Sequence, residues 1–515
     1  MHGTEYTKTI KMKTEILVLV AILLVGVLLA MPDLFAPPLS STSWRQTQTA
    51  MLTENFVRSG FDLKGLSVDI LGDLMPAMIY EFPLLNAIVG IFYTVVGTNP
   101  IVGKVVSLIC FLLSSVLLFS IVKRYYGERV ALVAAAFFGL NPLTLLMRTS
   151  FQPDFLSLTL MLAALMQLEQ WRDRPTWRTL LSFSIFLMLA MLVKFPIVMP
   201  FVPVLFLLFF SEGDRWARRA AVRLGDIGAI FLITIVPTIV WTFCARELTY
   251  PPFFESMGSM FLFGDMNRFV DLSYYLKPSY IYIFYVFSGS GMLYLAFSLK
   301  TFTKFEMAIV LGIPLYLVLI PTSSEQHYYQ LAVVPGMSFL MGKGFLRLWD
   351  SSRHWWRVWT IVSTGVAFTA MTVICSQYLL REDLIFFSAG RQLRVMTRQD
   401  ELVLSLALHD RLYIGACWYT QMMYASHRRG WNLASRVAMT PQDVVSEVMT
   451  EDHRRAKYLV LTWYSHDLEP WFAEYIPARF RRNPNIDGRT LFRDLSRQFP
   501  CVFQGENFGI LRLRS

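Results

Sequence analysis

The chain has 515 residues, 55% of them hydrophobic and only 16% charged, against about 25% charged in soluble proteins. That balance excludes an ordinary soluble protein and leaves a membrane protein with a polar remainder. A net charge of +10 would suit nucleic acid, but the Lys and Arg sit mostly in short loops between apolar runs. Anionic lipid headgroups account for such a distribution, and no nucleic-acid partner is expected.

In chain order, Lys8, Lys11 and Lys13 precede an apolar run over 16–31 with no small-residue cleavage site after it, which is read as an uncleaved first span. A long polar stretch, 32–100, follows. It opens with Ser43-Trp44-Arg45-Gln46-Thr47-Gln48-Thr49-Ala50, expected as a juxtamembrane helix whose Leu52, Phe56 and Val57 face the bilayer. It closes with Tyr80-Glu81-Phe82-Pro83-Leu84-Leu85-Asn86. The apolar run 82–96 would reach roughly 23 Å as a helix, short of the ~30 Å hydrocarbon core.

Further runs lie at 101–122, 130–148, 154–171, 179–193, 197–211, 224–243, 279–299, 306–320, 329–348 and 357–378. Charge parity decides the status of 82–96. If it does not cross and the N-terminus is cytoplasmic, clusters such as Lys123, Arg124 and Arg129 or Arg215, Arg218, Arg219 and Arg223 fall inside. Making it a span would put them outside, against the positive-inside bias. The run is therefore read as a helix lying in the outer interface, which leaves about eleven spans. The same assignment places Asp69, Glu81, Asp154, Lys194 and His327 on the outer face, at or beside helix ends.

The expected architecture is an α-helical polytopic membrane domain, 1–380, followed by a soluble extracytoplasmic α/β domain, 381–515. In the tail, Leu412–Cys417, Tyr458–Thr462 and Phe508–Leu513 read as strands. Pro441–Val448 reads as a helix capped by Thr440. The five Cys show no metal-ligand spacing; Cys417 and Cys501 both fall in the tail, where free thiols are expected ahead of a disulfide.

The candidate site residues each carry two readings. Asp154, in Arg148-Thr149-Ser150-Phe151-Gln152-Pro153-Asp154, is a membrane-edge carboxylate of the kind that serves function, or a helix N-cap. Lys194, at a turn between two spans, is a cation for a lipid phosphate or a snorkelling lysine. Asp69 and Glu81 are general bases, ligands for a divalent metal, or solvated acids. His327 joins Glu81 and Asp154 as a metal-ligand candidate or contacts a sugar, and Tyr328 beside it contacts substrate or belongs to the aromatic belt. Trp44, Arg45, Gln46 and Gln48 together suit a sugar and its phosphate.

The order of the SWRQTQTA loop, the EFPLLN segment, the QPD turn, Lys194 and the HYYQL loop resembles bacterial integral-membrane glycosyltransferases of the GT-C fold, related to protein O-mannosyltransferases and the lipid A aminoarabinose transferase. The resemblance covers about residues 10–350. It implies a sugar carried on a polyprenyl phosphate and transferred with inversion, on the extracytoplasmic face of the plasma membrane, to a hydroxyl of a glycan, glycolipid or protein. The family places acidic residues in the first outer loop where this chain has Arg45-Gln46, and in some relatives at the position of Gln48. With amides and a guanidinium there, the base must come from Asp69, Glu81, Asp154 or Asp33. The competing expectations are a transporter or flippase of lipid-linked sugars, and an inactive relative acting as a binding subunit. The gathering of polar residues at one face, with no internal repeat, disfavours the transporter.

Overall fold

A computed structural model of the chain describes residues 2–38, 43–70, 72, 77–79, 81–210, 220–249, 291–298, 302–320, 327–351, 354–355, 357–366, 381–407, 420–433, 440–451, 453–463 and 488–513. Two compact units are present. One comprises Met1–Pro37 and Ile79–Ser376, the other Pro38–Met78 and Gln377–Ser515.

The first unit is helical. Its elements are α1 (His2–Phe35), α3 (Leu84–Val96), α4 (Pro100–Tyr126), α5 (Glu128–Leu140), α6 (Pro142–Met147), α7 (Asp154–Asp173), α8 (Trp177–Val198), α9 (Val202–Phe210), α10 (Ala220–Leu248), α11 (Gly291–Ser298), α12 (Lys304–Leu319) and α13 (Val334–Trp349). Among the described residues, four helical stretches are long and apolar enough to cross a bilayer: Thr14–Phe35, Pro100–Tyr126, Trp177–Phe210 and Gly225–Leu248. Leu17, Leu28, Leu232 and Phe243 stand outward on these helices, exposed by more than half. In water such a belt would be a liability; against lipid it is the favoured surface. The protein is a membrane protein.

Local signals explain the helix ends. Asn99 accepts from the Ile101 N–H and Pro100 opens α4, which removes an amide that would otherwise lack a partner. The helix stops at Gly127, whose φ of 79° only glycine adopts cheaply. Close packing relies on missing side chains: a Cβ on Gly344 would lie 1.8 Å from the Tyr294 carbonyl oxygen, and one on Gly312 2.0 Å from that of Pro200.

The helices α7 and α8 form an antiparallel hairpin, with the Ser157 hydroxyl donating to the Ala190 carbonyl at 2.9 Å. The helical pattern of Trp177–Phe210 looks almost unbroken, yet it is two passes. Lys194, next to Asp154 at the start of α7, has φ −161° and ψ 88°. Phe209, at the end of α9, stacks on Trp171 near the far end of α7 at 5.2 Å. The 17 residues from Asp154 to Trp171 span about 25 Å of helix, so the chain must turn back at Lys194 to cover that distance. The expected turn between two spans is present there.

Charges gather at the two ends of this bundle. Arg124 bridges Glu169 and Asp173 at 3.0 and 2.5 Å at one end of α7, and Asp154 and Lys194 lie at the other. Between these layers the helix faces are apolar. The helix α3 is short, with Leu85, Val89 and Tyr93 buried and Ile91, Val95 and Val96 exposed.

The second unit contains α2 (Ser43–Arg58), α14 (Arg381–Met396), α15 (Gln421–Ser426), α16 (Pro441–Val448), α17 (Gly488–Leu495) and five strands: β1 (Val403–Ala407), β2 (Gly430–Leu433), β3 (Tyr458–Thr462), β4 (Cys501–Gln504) and β5 (Phe508–Arg512). The strand order is β2-β1-β3-β5-β4. The first three strands run parallel, and β5 is antiparallel to both β3 and β4. Leu404, Leu406, Leu459, Leu461, Phe492 and Leu511 lie in its buried core. The expected strands at 458–462 and at the C-terminus are present. So is the helix at Pro441, where Thr440 and Asp443 form a reciprocal cap. The expected strand Leu412–Cys417 and its cysteine lie outside the described residues; Cys501 is an exposed free thiol.

Candidate active site

The break at Lys194 has a physical origin two residues on. Pro196 has no N–H to give the Leu192 carbonyl, which an uninterrupted helix would require. That carbonyl instead accepts the Phe82 N–H at 2.9 Å, which docks the segment carrying Glu81 on the end of α8. Phe82 is further held edge-on against Trp241, with ring centroids 5.0 Å apart.

Three charged side chains converge as a result. The Lys194 ammonium lies 2.9 Å from Asp154 Oδ2 and 3.8 Å from Glu81 Oε1. It also sits over the Tyr328 and Tyr329 rings, at 4.9 and 5.2 Å from their centroids. These tyrosines belong to the 3-10 segment His327–Ala332, and the Tyr316 hydroxyl donates to the Tyr329 carbonyl. Lys194 and Asp154 are buried, whereas the Glu81 side chain keeps 24% of its surface. Asp154 does not cap its helix; it is the first helical residue, after Pro153, and its carboxylate is spent on Lys194. The buried pair is a fixed charge couple, and Glu81 is its accessible acid.

A second buried cation arrangement adjoins the end of α1. The Lys104 ammonium donates to the Asp33 and Ala36 carbonyls at 2.7 and 2.6 Å, and the Arg148 guanidinium reaches the Leu29 carbonyl. Asp33 itself is half exposed and 3.9 Å from Arg148.

The remaining candidates belong to the second unit. In α2, Arg45 Nη1 donates to Gln48 Oε1 at 2.8 Å, and Arg45, Gln46 and Gln48 are buried. The expectation that Leu52 and Phe56 face the bilayer is not met. Both are buried, with Phe56 edge-on to Phe61. The start of α2 packs on α15: Thr47 and Thr420 hydroxyls meet at 2.6 Å, the Thr420 hydroxyl also donates to the Trp44 carbonyl, and Gln421 Nε2 donates to the Ser43 hydroxyl. Asp69 accepts from Asn55 Nδ2 at 3.2 Å, and burial raises its carboxyl above the usual range. The His327 side chain lies outside the described residues. No group of three His, Cys, Asp or Glu is gathered among the described residues.

Sequence reasoning brought Glu81, Asp154, Lys194 and Tyr328 to one face, and the structure brings them into contact. It missed Tyr329, whose pairing with Tyr328 in a His-Tyr-Tyr-Gln run was the available signal. It also missed Glu54, Arg58, Arg394 and the His427-Arg428-Arg429 run, which line a cavity of about 470 Å³ with Asp69.

A family model for dolichyl-phosphate-mannose-protein mannosyltransferases matches residues 81–241, the segment that holds Glu81, Asp154 and Lys194. The chain is similar in structure to ArnT from Cupriavidus metallidurans in the apo state, with a TM-score of 0.60 at 11% identity over 96% of this chain and 97% of that one. The ArnT crystal structure bound to undecaprenyl phosphate gives a TM-score of 0.56 at 12% identity with the same coverage. The fold is GT-C. A third structure, the Archaeoglobus fulgidus oligosaccharyltransferase tethered to an acceptor peptide, matches with a TM-score of 0.54 at 12% identity, over 87% of this chain and 69% of that one. No curated protein sequence matches the chain. Of the acids expected at the site, Glu81 and Asp154 converge on Lys194.

Proposed function

We propose that this GT-C protein is a glycosyltransferase that takes a sugar from a polyprenyl-phosphate donor and passes it, with inversion, to an acceptor hydroxyl on the extracytoplasmic face of the plasma membrane. The observation that carries the reading is the Asp154–Lys194–Glu81 cluster, an ammonium held between one buried and one accessible carboxylate where apolar helices end. The headgroup of a lipid phosphate lies at such a depth. The similarity to ArnT, whose structure is known with undecaprenyl phosphate, supports the lipid carrier.

The contacts suggest a division of labour. Asp154, at the shorter distance, fixes the ammonium. The longer contact to Glu81 is the one a donor phosphate displaces as it approaches Lys194. Glu81 then accepts the acceptor hydroxyl's proton, and that oxygen attacks the anomeric carbon. The bond from this carbon to the phosphate oxygen breaks, its electron pair leaves with the polyprenyl phosphate, and the Lys194 charge stabilises the leaving group. The cluster does not fit a divalent metal between Glu81 and Asp154, since the ion would stand within contact of the ammonium, so no step passes through one. Asp69, hydrogen-bonded to Asn55 and lining a cavity of the second unit, is assigned no part in the proton transfer.

The test uses the purified protein in lipid nanodiscs with undecaprenyl-phosphate sugars as donors. Glu81→Gln is expected to bind undecaprenyl phosphate normally and to lose transfer by about 10²–10⁴-fold. Full transfer by this variant would remove Glu81 as base. The Arg45-Gln46 pair also favours a second reading, a non-catalytic GT-C relative that binds lipid-linked sugar. Absence of turnover by the wild type with every donor, alongside tight undecaprenyl phosphate binding, would decide for it.

A further inference from the structure

The second unit holds a cavity of about 470 Å³ lined by residues that all carry polar or charged groups. It includes Arg58, Arg394 and Arg429, with Glu54, Asp69 and His427. Its size is that of a small-molecule site. No purely hydrocarbon side chain lines it, although the carbon stems of the arginines contribute to the wall, and charged groups at this density disfavour an acyl chain. Guanidinium groups recognise phosphate or carboxylate oxygens in a planar, two-pronged geometry, and carboxylates accept hydrogen bonds from hydroxyls. A lining that mixes both suits a ligand with one anionic group and several hydroxyls.

The wall is built, not incidental. Arg428, buried below the rim, spends its guanidinium on the chain itself. Its Nε donates to the Thr397 hydroxyl, Nη1 to the Ser426 and His427 carbonyls, and Nη2 to the Arg394 and Thr397 carbonyls. This strut ties the end of α14 to the turn after α15 and fixes where Arg394 and His427 emerge. On the opposite side, Gly430 N–H donates to the Asp69 carbonyl and Gly72 N–H to the Gly430 carbonyl, which locks the turn carrying Asp69 to β2. Arg58, Arg394 and His427 are exposed at the mouth. His427 adopts φ 51°, a left-handed conformation that favours glycine. It is the left-handed residue that ends α15, its N–H donating to the Tyr424 carbonyl at 3.2 Å. Burial raises the Glu54 carboxyl to about 7, so near neutrality it is substantially protonated and able to donate to a hydroxyl or an oxyanion.

We infer that this cavity binds an anionic saccharide of one or two rings, bearing a phosphate ester or a uronic carboxylate, with Arg58 and Arg394 on the anion and Asp69 and Glu54 on the hydroxyls. That this saccharide belongs to the acceptor rests on the transferase reading; the binding itself does not.

Calorimetric titration of the full-length protein in detergent with glucose 6-phosphate, glucuronate, inorganic phosphate and glucose tests it. Glucose 6-phosphate or glucuronate is expected to bind saturably, and the tighter of the two identifies the anionic group. Glucose is expected not to bind detectably. Arg58→Ala and Arg394→Ala should each weaken the anionic sugar by about tenfold or more, with Arg58→Lys recovering part of the loss. Affinity for inorganic phosphate equal to that for glucose 6-phosphate would overturn the saccharide assignment. Absence of saturable binding by any anion, or binding unchanged in both alanine variants, would overturn the site. Undecaprenyl phosphate titrated into the same wild-type sample reads the donor site separately, so each reading fails on its own.

Discussion

Lys194 and Asp154 are a buried ion pair, and such a pair has a thermodynamic signature distinct from its functional one. The two groups meet at 2.9 Å, with 3% and 1% of their side-chain surface exposed. Removing one partner strands the other charge in a medium that does not solvate it, at a cost of about 3–5 kcal/mol. Lys194→Met and Asp154→Asn should therefore each lower the unfolding midpoint in detergent by several degrees. Asp154→Asn is the more tolerable, because Lys194 keeps Glu81 at 3.8 Å as a counter-charge, whereas Lys194→Met strands the buried Asp154. Replacing both partners removes charge and counter-charge together, and the double variant should return to within about 1 kcal/mol of wild type. Function should not follow stability. The double variant lacks the cation proposed to meet the donor phosphate, so undecaprenyl phosphate binding, read by native mass spectrometry, should stay lost. Asp154→Asn keeps the ammonium and should keep binding. Additive destabilisation in the double variant would refute the coupling, and retained lipid binding would refute Lys194 as the phosphate cation.

Three further outcomes are expected. In Pro196→Ala the restored N–H competes with Phe82 for the Leu192 carbonyl; transfer should slow while undecaprenyl phosphate binding persists, and an unchanged kcat would count against the docking of Glu81 through Phe82. His427→Gly relieves a left-handed φ and should stabilise the second unit by about 1 kcal/mol in thermal unfolding while weakening glucuronate binding. The folded-state carboxyl of Glu54 is raised from 4.5 to about 7, mainly by burial, with Arg58 opposing and Asp69 adding to the rise. A raised acid contributes stability that is full below the unfolded value and declines as pH climbs to the folded one. The second unit should thus lose up to about 3 kcal/mol between pH 4.5 and about 7 from this group, a slope that Glu54→Gln abolishes. The charge gained by Glu54 faces Arg394, His427, Arg428 and Arg429 as well, so glucuronate binding should weaken over the same interval and do so less in the variant.

How far the fold was legible depended on whether local pattern and tertiary packing agreed. Thr440-Pro441 with Asp443 states a helix start in four residues, and Tyr458–Thr462 is a bounded apolar run too short for a buried helix. By contrast Val403–Ala407 lies in Leu402-Val403-Leu404-Ser405-Leu406-Ala407, a leucine-rich run that periodicity alone does not separate from a helix; its strand state comes from pairing with β2 and β3. The helix α2 shows the opposite failure. Its amphipathic face suited a bilayer, yet Leu52 and Phe56 are buried in protein; the start of the helix meets α15, some 370 residues away in sequence, and no local signal carries such a partner. The cavity of the second unit was illegible for the same reason, since Glu54 and Arg58 are joined to Arg394 and His427 only by that packing.

The site raises a narrower question, how a GT-C chain lacking the family's first-loop acids presents an acid at all. Arg45 and Gln48 satisfy each other within α2, so the customary position is closed by a hydrogen bond as well as by residue type. The convergent acid is instead delivered by main chain. A proline removes one amide from α8, the carbonyl left over is taken by Phe82, and Glu81 is thereby held beside an ammonium that Asp154 has already fixed. Each step is forced by the one before it: an unsatisfied carbonyl in an apolar bundle costs about as much as a lost hydrogen bond, so the docking of Phe82 is the structural repair for Pro196. Positioning of Glu81 then follows from this main-chain bond together with its 3.8 Å contact to Lys194. The proton acceptor proposed for this protein is consequently tied to the helix break, and variants that straighten α8 should fail in chemistry before they fail in folding.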